Sequence, residues 1–248
     1  MSPLDSLRYL GVLAVVAAAF LGLSVFAAVA RGPVVVAIHP GADVVPENLL
    51  RFYIDFSEPM QGGDAFAHLR LVDKNGPVAD AFRELELWSR GQRRLMVYIH
   101  PGRIKRGLTY ATTMGPVLRE GESFRLEIAA GMKSSSGRAG SGGAKSFRVG
   151  SADREMPDVA KWVCSAGGIE VDEWLDHAGL EEYVTVDGRG PTVRGRRLVL
   201  PLAPGEHVLV VDPHLEDLAG NSFVRRFETR PEETDRAGGV VERRFVVR

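Results

Sequence analysis

From Leu50 onward large apolar residues recur at every second position, as Leu50, Phe52, Ile54 and Phe56, with Arg51, Tyr53 and Asp55 between them. A period of two sends alternate side chains to opposite faces of an extended chain, so this stretch predicts a β-strand with one apolar and one polar face. Pro59 has no ladder N–H to give and biases Glu58 toward extended geometry, which ends the strand. An earlier strand is predicted at 34–38, where Val34, Val35, Val36 and Ile38 cluster, and shorter alternations follow at 69–72, 85–88, 94–100 and 124–128. Turn chemistry separates them, notably Asp73-Lys74-Asn75-Gly76 and Ser89-Arg90-Gly91-Gln92. Short strands with turn signals at such intervals predict an all-β sandwich or barrel.

The pattern then returns in weaker form. Ile169, Val171 and Leu175 echo the strand at 50–56, and Tyr183-Val184-Thr185-Val186 before Asp187 echoes 69–72 before Asp73. Arg196-Arg197-Leu198-Val199 repeats Arg93-Arg94-Leu95-Met96, and Gly205-Glu206 leads into 208–211 as Gly121-Glu122 leads into 124–128. Phe227 takes the place of Phe147 in the closing strand. Correspondences in one order predict an internal repeat. The expected organisation is an N-terminal hydrophobic helix (1–31), a β-sandwich at 33–150, a shorter copy at 157–229, and a tail at 230–248 with one edge strand. The serine- and glycine-rich stretch 134–143 reads as a mobile hairpin tip within the first copy.

The helix at the start rests on residues 10–30, a run of 21 residues without a charge. At about 1.5 Å per residue it would span roughly 30 Å, the thickness of a bilayer core. Ala28-Val29-Ala30 before Arg31 is a small-x-small cleavage pattern. Two readings stand: a signal peptide cleaved after Ala30, giving a periplasmic or secreted protein, or an uncleaved membrane anchor. Both place the rest of the chain outside the cytoplasm. The remaining residues suffice for two domains of about 100 residues each. The 31 basic and 32 acidic residues balance, so no global field favours nucleic acid. Cys164 is the sole cysteine, so no internal disulfide forms.

Two short motifs carry a resemblance. His39-Pro40, Val45-Pro46-Glu47-Asn48 and Phe56-Ser57-Glu58-Pro59-Met60 stand early, and Asp217-Leu218-Ala219-Gly220-Asn221 stands late. In this order they resemble bacterial Ig-like domains of the S-layer type, known as SbsA-type Ig-like domains. In the first copy 131–137 lies where the late motif belongs, and in the second Val171-Asp172-Glu173 replaces the early one. The resemblance implies tandem antiparallel β-sandwiches serving as structural or adhesive modules of the cell surface, and it implies no catalytic residues.

Candidate chemistry is sparse. Arg93, Arg94, Arg103, Lys105 and Arg106, with Arg90, form a basic cluster. If two hairpin tips meet, it could hold an anionic envelope polymer; a solvated, partly ion-paired face is the alternative. It lacks the interleaved aromatic platforms that single-stranded nucleic acid uses. Asp212, Glu216, Asp217 and Asn221 concentrate oxygen donors, which suggests Ca²⁺, but without the alternating spacing of a dedicated calcium loop; a turn in which Asp217 accepts backbone N–H bonds is the alternative. The histidines show no H-x₃-H pair, and Ala144 stands where a phosphate-binding loop needs glycine before Lys145-Ser146. No G-x-S-x-G elbow occurs. The expectation is a non-catalytic envelope protein that binds or spaces, without cofactor unless calcium, reaching the membrane through 10–30 and partnering an envelope protein or polymer. The alternatives are a calcium-stiffened stalk and an envelope hydrolase on a β-scaffold.

Overall fold

A computed structural model describes residues 32–104, 109–227 and 238–248, with the side chains of 109–111 excepted. The apolar run 10–30, Lys105, Arg106 and residues 228–237 lie outside the described residues. The branched side chains after Pro33 form β1 (Val35–His39), and β2 (Val44–Pro46) follows the turn at Gly41. The alternating stretch forms β3 (Arg51–Phe56), then β4 (Leu69–Asp73), β5 (Gly76–Pro77), β6 (Leu87–Trp88) and β7 (Arg94–Tyr98). A short helix, α1 (Thr109–Met114), precedes β8 (Ser123–Ile128) and β9 (Gly143–Gly150). The later part holds β10 (Val163–Ser165), β11 (Gly168–Glu170), α2 (His177–Tyr183), β12 (Val184–Val186), β13 (Thr192–Arg194), β14 (Arg197–Val199), β15 (Gly205–Val211) and β16 (Val241–Val247).

Four sheets enclose two hydrophobic cores in an all-β, sandwich-type arrangement. Sheet β1-β3-β7-β6 faces sheet β2-β9-β8-β4-β5 across the first core. There Phe52, Ile54, Leu95 and Val97 from one sheet meet Leu71, Leu126, Phe147 and Val149 from the other. Burying such a side chain stabilises by about 1.5–3 kcal/mol, which is why the period-two pattern fixes the strands. Sheet β10-β11-β14-β13 and sheet β12-β15-β16 enclose the second core, built on Trp162, Ile169, Leu180, Val184, Leu198 and Leu209. The strand orders correspond: β10-β11-β14-β13 runs as β1-β3-β7-β6 does, and β12-β15-β16 as β4-β8-β9. Residues Pro33–Arg248 form one compact unit.

Two expectations are corrected. The strand in the place of β9 is β16, paired with β15 from Gly205↔Val247 to Val211↔Val241, and not the segment around Phe227. Phe227 lies instead in a turn, its N–H donating to Asn221 Oδ1 at 3.0 Å. The edge strand expected in the tail is this β16, which pairs with β15 alone and adds the buried Val247 to the second core. Finally, the serine-rich stretch is not a loose tip. Ser134 is 0% exposed, and its neighbour Ser135 donates its N–H to Pro59 O at 2.9 Å. Composition suggested flexibility, but the polar groups here are satisfied by the end of β3's connection.

The packed serine turn and the Asp217 turn share one hydrogen-bond scheme. Ser134 N donates to Arg138 O at 2.9 Å, as Asp217 N donates to Asn221 O at 2.8 Å. Ser134 Oγ accepts from Arg138 N, and Asp217 Oδ1 accepts from Asn221 N. Each turn has glycine in the left-handed region, Gly137 at φ 79° and Gly220 at φ 85°. Each also bridges back to an earlier stretch, through Met60↔Ser134 and Leu175↔Asp217.

Candidate functional site

The polar face of β3 is not solvated. It is covered by α2 and by the Asp217 turn, so Arg51, Tyr53 and Asp55 form a joint between the regions built around the two cores. Asp176 starts α2: its carboxylate accepts the Gly179 N–H at 2.7 Å, satisfying a donor that the first turn leaves open. The same carboxylate accepts from Tyr53 Oη at 3.0 and 2.8 Å and faces Arg51 Nε at 3.3 Å. Arg51 also pairs with Glu216 and lies over the Tyr98 ring, 5.4 Å from its centroid. Burial works against the charge of Arg51, yet Asp176 nearby carries its pKa above the ordinary value. Burial, and then Asp176, push the Tyr53 hydroxyl well above the usual phenol range, so it stays a donor. A backbone bond from Leu50 N to Leu218 O, 2.8 Å, ties the edge of the joint.

Beside this lies a second cluster. Arg94 grips Asp55 with Nε–Oδ1 2.6 Å and Nη2–Oδ2 2.8 Å, and its Nη1 reaches Glu181 on α2. His39, at the end of β1, stacks on His177, at the start of α2, with centroids 3.6 Å apart and planes 9° from parallel. His39 Nε2 lies 3.5 Å from Asp55 Oδ2, and His177 Nε2 lies 3.3 Å from Glu181 Oε1. Burial opposes the charge of Asp55, but hydrogen bonds from Arg94 and His39 outweigh it and hold its pKa far below the carboxylate range. For Glu181 the bond from His177 leads and, with Arg94, lowers it to about 2. A cleft of about 320 Å³ lined by Tyr53, Arg94 and Glu181 opens onto the cluster.

Of the candidate calcium residues Asp217 and Asn221 meet, while Asp212 and Glu216 turn elsewhere. Asp212 accepts from the His214 N–H at 2.8 Å, and Glu216 turns to Arg51. Asp217, buried, accepts from Ala219 N, Asn221 N and Asn221 Nδ2 at 2.8, 2.9 and 2.8 Å, which is the turn alternative. Its carboxylate instead gathers with those of Asp153 and Glu173, ligand atoms lying within 4.8 Å of one another. Burial, then Asp153, raise Asp217 well above its ordinary value. Burial, then Asp153 and Asp172, lift Glu173 to about 7. Both shifts favour the protonated forms of Asp217 and Glu173.

Nor do the described arginines form one anion site. Arg94 and Arg103 flank opposite ends of β7. Arg93 donates to Ser57 O, and Arg94 is engaged by Asp55 and Glu181. Arg103 is 6% exposed and donates to the carbonyls of Ala79 (2.7 Å), Gly115 (2.9 Å) and Pro116 (3.2 Å), holding three loops together. Lys105 and Arg106 lie outside the described residues. Cys164 is half-buried on β10, and burial raises its thiol pKa. His207 bonds Asp187 and Ala203 O, apart from His214.

Sequence reading missed the joint altogether. The available signal was His177-x₃-Glu181, a helical i,i+4 pair; the partners His39 and Asp55 come from distant strands.

No protein-family model matches the chain, and no curated protein sequence matches it. Among solved structures it is similar to the S-layer protein rSbsC(31-844), at 12% identity over 88% of this chain and 26% of that one, TM-score 0.37. It is also similar to native alpha-2-macroglobulin from Escherichia coli spanning domains MG0-NIE-MG1, at 12% identity over 74% of this chain and 67% of that one, TM-score 0.33. The chain thus spans about a quarter of the length of the S-layer structure it matches. Among the described residues no helix is long and apolar enough to cross a membrane.

Proposed function

We propose that this chain is an exported, non-catalytic module of the cell envelope, in which two tandem Ig-like sandwiches act as one rigid binding or spacing unit. The observation that supports this reading most is the joint. Tyr53 and Arg51 on one side and Asp176 and Glu216 on the other are held together by hydrogen bonds and ion pairs out of bulk water. A flexible linker between sandwiches would let each turn freely; a buried polar joint fixes their relation. Residues 10–30 supply export, as an anchor or as a cleaved signal.

The test is envelope fractionation of the full-length protein carrying a C-terminal epitope, with intact-mass measurement of the recovered chain. Recovery in the envelope or periplasm, with the epitope open only to externally added protease, supports the reading. Recovery in the cytosol with Met1 intact overturns it. Chemical cross-linking in the same envelopes then separates a binder, which brings down a defined protein or polymer, from a passive spacer, which comes down alone.

A further inference from the structure

We infer that His39, Asp55, His177 and Glu181 form a site for one divalent transition-metal ion of the zinc class, placed across the joint. This inference is independent of where in the cell the protein resides.

The donor set comes first. Two imidazoles and two carboxylates are borderline ligands, a combination that suits zinc, cobalt, nickel or copper and not calcium, which needs six to eight oxygens. Ligand atoms of His39, Asp55 and His177 already lie within 4.8 Å of one another. Tetrahedral zinc with bonds of about 2.0–2.1 Å needs its ligands roughly 3.3 Å apart, so these three atoms close by at most about 1.5 Å to bind. Glu181 lies one turn after His177 on α2, Oε1 3.3 Å from Nε2, the arrangement by which one helix face offers two ligands.

Support for the ligands is in place too. Arg94 takes Asp55 through both carboxylate oxygens, which fixes the carboxylate plane and leaves the outer side of Oδ2 toward His39, 3.5 Å away. Such outer partners orient metal-binding carboxylates. The two carboxylates outnumber the single arginine between them, so the cluster has negative charge to give. The stack of His39 on His177 sets the two imidazoles, one from each side of the joint, side by side. His177 is 11% exposed and His39 20%, so the two imidazoles are shielded, while the cleft reaches Glu181.

The consequence would be a metal clip between the first sheet and α2, tightening the joint when the ion is present. The test uses the full-length chain in mild detergent, stripped with chelator and titrated with Co²⁺ alone, then Zn²⁺ alone. Expected are one equivalent of Co²⁺ with visible ligand-field absorption, its displacement by Zn²⁺, and a rise in Tm with Zn²⁺. His39→Gln and His177→Gln should each weaken binding at least tenfold, while His214→Gln, at an exposed position, changes nothing. No binding by the wild-type chain overturns the inference, as does one-equivalent binding that persists in both variants, which would place the ion elsewhere, for example at Asp153, Glu173 and Asp217. Should a variant lose its folded circular dichroism spectrum, diethyl pyrocarbonate labelling of the wild type decides. Protection of His39 and His177 by Zn²⁺ supports the site, and equal labelling with and without Zn²⁺ overturns it.

Discussion

Tyr53 shares its hydroxyl proton between the two carboxylate oxygens of Asp176, at 3.0 and 2.8 Å, while the same carboxylate caps α2 through Gly179 N–H. One acidic group therefore starts a helix and fastens it to a strand 123 positions away. Removing the hydroxyl leaves the cap and Arg51 in place, so Tyr53→Phe should cost about 1.5–3 kcal/mol, the range for a hydrogen bond to a charged group. Arg51→Met leaves Asp176 and Glu216 short of a cation and should cost more, about 3–5 kcal/mol. Urea unfolding of the two variants and of the double variant checks the order. Equal, near-zero losses would mean that the joint is solvated.

Glu181 makes the joint sensitive to acid. Its pKa in the folded chain is about 2 against an ordinary 4.5, so its interactions stabilise above pH 4.5 and are lost as pH falls toward 2. The group is partly exposed, so after solvent screening the contribution is about 1 kcal/mol. Glu181→Gln should flatten the stability profile between pH 4.5 and 2, measured by thermal unfolding at fixed ionic strength.

Glu173 acts with the opposite sign. Its pKa is raised to about 7 from 4.5, so in that window the folded chain holds a proton that the unfolded chain has released. Stability should fall as pH rises from 4.5 to 7, by about 1–2 kcal/mol once exposure is discounted. Glu173→Gln should reduce that slope, leaving the part that Asp217 carries, and gain stability at pH 7. A profile that instead rises through this window in the wild type, and is unchanged in the variant, would contradict the assignment.

Gly137 and Gly220 offer a matched pair. Both have positive φ, but a Cβ at Gly137 meets nothing within 4 Å, while one at Gly220 would lie 2.6 Å from Leu50 Cδ2 and 3.1 Å from Phe227 Cδ2. Gly137→Ala should cost about 1 kcal/mol from backbone strain alone. Gly220→Ala adds overpacking of about 1–3 kcal/mol. Differential scanning calorimetry of the two variants reads the difference directly.

Arg103 should behave as a core residue. Arg103→Met strips donors from the carbonyls of Ala79, Gly115 and Pro116, and the loss should reach about 2–4 kcal/mol. Salt dependence separates the roles: a solvated anion site would lose little stability, and what it lost would be screened by salt.

The strand alternation at 50–56 and the turn at Asp217 were legible because each is written in neighbouring residues. Phe52 and Ile54 declare an apolar side by period alone, and Asp217 with Gly220 and Asn221 declares a turn by its side-chain chemistry. The period does not say what covers the other side, so Arg51, Tyr53 and Asp55 looked like residues facing water. The serine turn was misjudged for a similar reason, since composition describes a segment's own preferences and not the carbonyl of Pro59 waiting to receive Ser135. The His39–His177 stack joins residues with no shared local pattern, and nothing short of the tertiary arrangement brings them together.

With both sides of β3 enclosed, its alignment is policed twice. A slip by one residue along β7 would drive Arg51, Tyr53 and Asp55 among Leu71, Leu126 and Phe147, and would set Phe52 and Ile54 against the carboxylates of Asp176 and Glu216. Such a slip incurs unpaired buried charge and lost apolar contact at once, so misaligned pairings of this strand are rejected early and the ladder admits a single frame.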